Sequence, residues 1–272
     1  MIINSYISFP VPSITYLLDT YTAQVAYSLR PLSSSITNCI RVRRDSDNAE
    51  QDIGFDGDAL DIASLETFVG GSNNGYVAKW YDQSGNGNDA LQTTAGIQPI
   101  IVDTGSVLLS SVLGLPYVKN RSNSDKLNLT SSEKLVLEFS AINVFDRYDN
   151  TVSYVGMAGS SHTSTGNFNT TSNFRVLDYV TINNYAYGTS LGEKQCFTYR
   201  KSDTNTGVYI DGVQVGSDQT LAVHASNNLL SLMSITATQN NNRLMETILF
   251  NSDLSASETA LNNEVNTYYG SY

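Results

Sequence analysis

The chain has 272 residues, with 15 Lys and Arg against 26 Asp and Glu, a formal net charge of -11 and a pI near 4.5. Apolar residues make up 40% and charged residues 15%, which excludes a charge-extended disordered chain and a helical bundle and points to a β-rich protein with many polar turns. The acidic balance excludes a nucleic-acid groove and attachment to anionic lipid, and no apolar run is long enough to span a membrane.

Residues 1–13 are short and apolar, with Pro10 and Pro12 barring regular structure. Two readings stay open: an arm carrying Ile2, Ile3, Tyr6, Ile7, Phe9 and Val11 to a partner, or an ordinary edge strand. The opening MIINSYISFPVP has no basic segment followed by a long apolar run, so no secretory leader is expected. Residues 14–272 read as a single domain, without repeats or a linker. Between Ile14 and Leu32, Leu17, Tyr21, Val25 and Leu29 recur at spacings of about four and predict one or two short helices stopped by Pro31. Two strand pieces flank a DSDN turn between Cys39 and Gly54. Asp58 or Asp61 is expected to cap a helix over ALDIASLETF.

VAKWYDQSGNGND, ending at Asp89, reads as a strand end and a loop whose Gly and Asn residues suit positive φ. Strand-like runs follow at 134–145, 151–157, 174–180, 195–200, 207–216, 229–235 and 243–250, a spacing that predicts a mainly β sandwich. Asp211-Gly212 sits between two alternating runs and predicts a tight hairpin. Ser255 and Glu258 match a capping box before a C-terminal helix with Leu261, Val265 and Tyr268 or Tyr269 along one face.

Chemistry-bearing residues are sparse. Cys39 and Cys196 are too few for a zinc site; two free buried thiols are the preferred reading, and one bridge between them is the alternative. His162 and His224 stand alone. Asp56, Asp58 and Asp61 are the calcium candidates, but they lack the EF-hand spacing, and no cofactor is expected. Arg41, Arg43 and Arg44 are expected to pair with neighbouring acids. No nucleophile elbow, HExxH, P-loop or dinucleotide fingerprint occurs.

AYSLRPL (Ala26 to Leu32), RVRRDSDN (Arg41 to Asn48), GDALD (Gly57 to Asp61) and above all WYDQSGNGND (Trp80 to Asp89) carry a resemblance to a known group. With VYIDGVQVG and ETILFNSDLSASETALNNEV near the end, they resemble the concanavalin A-like, laminin-G-like jelly rolls. The resemblance is closest to the catalytic jelly roll of family 54 α-L-arabinofuranosidases and its non-catalytic bacterial and phage relatives. It implies a concanavalin A-like β-sandwich with short N-terminal helical segments and a C-terminal helix. In that family a glutamate nucleophile lies on a mid-domain strand and an aspartate acid in a late Gly-Asp-Asn loop. Here no acid lies between Ser234 and Arg243, and Phe174, Arg175 and Val176 stand where the glutamate is expected, with Asp178 nearby.

The expectation is therefore a non-catalytic surface-display protein. A polar chain rich in Tyr and Asn and without a leader fits a bacteriophage virion component made in the host cytoplasm: capsid decoration, head fibre or tail adhesion. Its expected partners are other virion proteins, further copies of itself and host cell-surface glycans. Tyr154, Tyr179, Tyr185 and Tyr187 are the candidates for a sugar-binding face, with half-buried strand tyrosines as the plainer reading. Tyr81, Asp82, Gln83, Ser84, Gly85, Asn86 and Asn88 are read as a self-closing structural loop, a contribution to a sugar or metal site being the alternative. The competing reading is an arabinofuranosidase-like glycoside hydrolase, whose strand-borne carboxylate candidates are Glu138, Asp178 and Glu246.

Overall fold

The computed structural model describes residues 15–122, 124–134, 138–147, 153–154, 156–159, 164–170, 173–178, 181–186, 192–201, 205–220, 228–233 and 243–270. The segment 1–13, read as an arm or an edge strand, lies outside the described residues. One helical turn, α1 (Leu17–Thr20), precedes strand β1 (Val25–Ser28). The hairpin β2 (Asn38–Arg44) and β3 (Glu50–Asp56) is closed by the DSDN turn, where Asn48 takes φ 59°. β4 (Ala59–Leu60) leads into α2 (Ile62–Val69), capped by Asp61, whose Oδ1 accepts a hydrogen bond from the Ser64 amide at 2.9 Å.

Then come β5 (Gly75–Trp80), β6 (Ala90–Leu91), β7 (Ile100–Asp103), β8 (Ser106–Val107), β9 (Val118–Lys119) and β10 (Leu127–Lys134). The middle of the chain forms β11 (Phe139–Arg147), β12 (Ser153–Tyr154), β13 (Met157–Gly159), β14 (Ser164–Thr170), β15 (Asn173–Asp178) and β16 (Thr181–Ala186). It closes with β17 (Gly192–Arg200), β18 (Asn205–Ile210), β19 (Val213–Gln214), β20 (Gln219–Thr220), β21 (Asn228–Leu232), β22 (Arg243–Phe250) and helix α3 (Glu258–Tyr269).

These strands make two antiparallel layers. The first runs β1-β22-β11-β17-β18, with β19 and β20 on β18. The second runs β3-β2-β5-β6-β10-β21-β13-β14-β15-β16. β9 pairs with β22 of the first layer and with β7, which pairs with β5 of the second, and so links the layers. Between them lies the larger core, to which β1 gives Val25 and Tyr27, β11 Phe139 and Phe145, and the facing layer Ile40, Val77, Trp80 and Leu232. The first layer is covered on its other face too. There Ala26, Ile142, Val144, Met245 and Ile248 pack under Leu17 of α1 and Leu261, Val265 and Tyr269 of α3. Alternating residues thus serve two cores, and β11 and β22 carry apolar side chains on both faces.

Two expectations are corrected. The four-residue spacing from Leu17 to Leu29 does not make a helix beyond Thr20. Val25 to Ser28 is a strand buried on both faces, and a buried strand and a helix face look alike in so short an apolar run. The capping box at Ser255 does not form: a 3₁₀ turn spans Ser255–Ser257, the Ser255 amide donates to Asp253 Oδ1 at 2.9 Å, and Glu258 accepts from Asn262 Nδ2 instead. The buried stripe of α3 is Leu261, Asn262, Val265 and Tyr269. Cys39 and Cys196 are both buried and free, which settles the open choice about a bridge. The Asp211-Gly212 hairpin forms as expected, with φ of 52° and 72°.

On β18, Gly207 faces Tyr199 of β17, whose ring lies across it. A Cβ there would sit 2.4 Å from Tyr199 Cζ and the phenolic oxygen. Gly207→Ala should therefore cost about 1–3 kcal/mol by overpacking, read as a lower urea midpoint. Unchanged stability would contradict this contact.

Candidate functional site

The loop that stood out in the sequence is stitched to β1. Gly85 and Gly87 take φ of 86° and 75°, a path that other residues rarely follow. This path brings the Asp82 carboxylate to four donors: Oδ1 accepts from the amides of Ala26 at 2.9 Å and Ser84 at 3.0 Å, and Oδ2 from Ser84 Oγ at 2.7 Å and the Asn88 amide at 3.0 Å. Gln83 works in both directions. Its Oε1 accepts from the Leu32 amide at 2.7 Å, and its Nε2 donates to the carbonyls of Ser28 at 2.9 Å and Arg30 at 3.1 Å. Asn86 Nδ2 donates to the carbonyls of Ala23 and Gln24, and Tyr27 donates its phenolic proton to the Asn88 carbonyl. Tyr81 leans outward, donating to Asp52 Oδ1 at 2.7 Å, and Lys79 pairs with Asp89 at 3.0 Å. Among the described residues β1 pairs only with β22, so this loop occupies its other edge.

A second cluster lies where the chain leaves β1. The Arg30 guanidinium, 5% exposed, is held between Glu246 of β22 and Glu264 of α3, with Nε to Glu246 Oε2 at 2.9 Å and Nη1 to Glu264 Oε1 at 2.9 Å. Glu246 is fully buried and also accepts from Ser28 Oγ at 2.8 Å and Tyr269 Oη at 3.2 Å. The rings of Tyr268 and Tyr269 lie 5.2 and 5.6 Å from the guanidinium carbon. Burial, reinforced by the Glu246 charge, holds the Tyr269 phenol well above its usual pKa; burial raises Tyr268 to about 12. Above the cluster opens a cleft of about 360 Å³, lined by Tyr16, Arg30, Asp58, Glu264, Thr267 and Tyr268 among others.

The residues proposed from sequence fall apart in space or are accounted for locally. Tyr185 is buried, 1% exposed, and donates to the Thr206 carbonyl at 2.6 Å, so its ring is not on a binding surface. Tyr154 ends β12; Tyr179, Tyr187, His162 and His224 lie outside the described residues. Of the calcium candidates, Asp61 caps α2, Asp56 ends β3 and Asp58 lines the cleft; no group of three His, Cys, Asp or Glu suited to a metal exists among the described residues. Among the carboxylates, Glu246 is consumed by Arg30, Glu138 is exposed just before β11, and Asp178 ends β15 opposite Thr181. The cleft itself was missed. AYSLRPL contained Arg30, but an isolated arginine carries no mark of the two glutamates, 216 and 234 residues away, that it joins.

Two layers, a two-faced first sheet and a closing helix make this chain a concanavalin A-like jelly roll. No family model and no curated relative matches it. Among solved structures it resembles family 54 glycoside hydrolases. An arabinofuranosidase complexed with arabinofuranosyl-α-1,2-xylobiose superposes with a TM-score of 0.58 at 14% identity, over 89% of this chain and 62% of its own. A GH54 α-L-arabinofuranosidase soaked with a cyclic sulfate inhibitor gives 0.59 at 14% identity over the same shares. The chain thus spans less than two thirds of those proteins. The expectation that it is not an enzyme is corrected by these comparisons: the two solved structures it superposes on here are glycoside hydrolases. At this identity the likeness shows the fold alone. Residues 234–242, where the family's aspartate acid is expected, lie outside the described residues.

Two outcomes follow. Asp82→Ala should lower stability by roughly 3 kcal/mol, because several buried donors lose their acceptor together; a wild-type urea midpoint would contradict the stitching. Alkaline pH should unfold the protein. Burial holds the Cys196 thiol up to about 12 and raises Cys39, alongside Tyr268 and Tyr269. Each group keeps its proton in the folded state beyond its unfolded pKa, roughly 8.5 for Cys and 10 for Tyr. The stability they contribute is whole below those values and is lost as pH rises through the folded ones. Urea midpoints should hold steady from pH 7 to 8 and fall above about pH 9; a flat profile to pH 11 would contradict the assignment.

Proposed function

We propose that this protein acts on carbohydrate, its jelly roll presenting a glycan-recognising surface of the glycoside-hydrolase type. The observation that carries the reading is the superposition over 89% of the chain on an arabinofuranosidase solved with a bound arabinofuranosyl oligosaccharide. The polar, tyrosine-rich composition supports it, because aromatic faces flanked by hydrogen-bonding groups suit sugar rings. A two-carboxylate mechanism, with acids about 5 Å apart for retention or roughly 6.5–9.5 Å apart for inversion, has to be built without Glu246, whose carboxylate is buried and bound by Arg30. Glu138 and Asp178 are the remaining named carboxylates. Display on a virion, with self or other virion proteins as partners, belongs to the same proposal and rests on composition alone.

Affinity electrophoresis of the whole chain through arabinoxylan, galactan, mannan and pectin tests this reading, with release of reducing sugar measured on the same panel. Retardation by at least one polysaccharide, reversed by its free oligosaccharide, or turnover of one of them is expected. Neither retardation nor release with any of the four would overturn it.

A further inference from the structure

The proposed glycan activity leaves open where a sugar sits and of what kind, and the cleft above Arg30 bears on both. Its volume, about 360 Å³, falls at the small end of the roughly 300–1,000 Å³ typical of ligand pockets, which suits a short oligosaccharide end. Two half-buried tyrosines, Tyr16 and Tyr268, line it. They supply apolar faces for the C–H side of a sugar ring. Thr267 and the carboxylates of Asp58 and Glu264 supply the polar partners.

Charge selects the ligand class. Among the described residues Arg30 is the only cation lining the cleft, and its Nε, Nη1 and Nη2 all donate to Glu246 and Glu264. With one positive charge against Asp58, Glu264 and the underlying Glu246, the cleft and its floor carry a formal charge of -2 (+1 - 3), on a chain whose net charge is -11. An acidic ligand would meet this potential without a free guanidinium to bind it. A neutral polyol brings hydroxyl donors, which is what carboxylates with spare lone pairs accept. Asp58 is exposed and accepts no hydrogen bond from a described residue, while Glu264 is already fixed by Arg30.

We propose that this cleft, between α3, the segment before α1 and the exit of β1, is a carbohydrate subsite that takes neutral sugars and refuses uronates. The proposal rests on the glycan reading above, and the test separates the two. Calorimetric titration of the full chain uses neutral arabinoxylo-, galacto- and manno-oligosaccharides alongside oligogalacturonate. A neutral member should bind, and Asp58→Ala and Tyr16→Ala should each weaken it at least tenfold while leaving the melting temperature within about 2 °C of wild type. Tyr209→Ala, in the aromatic cluster of β17 and β18, should leave the affinity unchanged. Neutral binding that survives the Asp58 and Tyr16 substitutions, or that is lost instead with Tyr209→Ala, overturns the subsite and leaves the glycan reading standing. Binding of oligogalacturonate at the cleft overturns its selectivity. Binding of nothing on the panel overturns the subsite together with the reading it rests on.

Discussion

Strand β1 is four residues long, wholly buried, and paired among the described residues with β22 alone. An edge strand inside a protein leaves a row of amides and carbonyls that must be satisfied, because each orphan costs about as much as a lost hydrogen bond. Here the row is satisfied mostly by side chains, with one backbone bond from the Gln83 amide to the Ala26 carbonyl at 2.8 Å. Asp82 accepts from Ala26, Gln83 bridges Ser28, Arg30 and Leu32, and Asn86 reaches Ala23 and Gln24. The loop 81–89 thus stands in for a missing strand. A carboxylate and an amide are suited to this work: one only accepts, and the other accepts and donates at the same time. The two loop glycines provide the turn that brings both side chains to the strand. Trp80, at the end of β5, adds its indole N–H to the Ser28 carbonyl at 3.3 Å and ties the second layer to the same strand.

What β1 holds depends on this seal. Its residues alternate between two cores: Val25 and Tyr27 face the opposite layer, while Ala26 packs under the helices. Its exit delivers Arg30 to Glu246 and Glu264 and so fixes α3 to the sheet. A buried ion pair of this kind is a poor source of net stability, since desolvation offsets much of the Coulomb gain. Its value lies in position. Arg30 can satisfy both glutamates only when β1, β22 and α3 are correctly placed. The cleft inherits that order, because Glu264 and Tyr268 project from the helix that Arg30 holds.

The sequence made much of this readable, for local reasons. The DSDN turn, the Asp61 cap and the Asp211-Gly212 hairpin are local devices whose chemistry is complete within a few residues. β22 ends in an apolar run that stands out, and β11 and β17 carry shorter apolar stretches broken by polar residues. The strands STGNFNT (β14) and TINNYA (β16) carry no clear alternation of apolar and polar residues and were not legible. β1 reads as helix in the sequence because both its faces are buried and no period of two appears. The candidate site was the least readable part. Asp82 and Gln83 were visible as a loop, but their partners lie 51 to 56 residues away along the chain. The Arg30 cluster spans more than 200 residues, and no spacing rule reaches that far.

The seal on β1 is tested most directly by native-state hydrogen exchange at two amides. Ala26 donates to Asp82 and Leu32 to Gln83, at 2.9 and 2.7 Å, and neither bond belongs to a strand ladder. If side chains close this edge, both amides should exchange as slowly as those of β11 and β22, at rates set by global unfolding. Exchange within minutes at Ala26 and Leu32, with β11 still protected, would show an open edge and contradict the account.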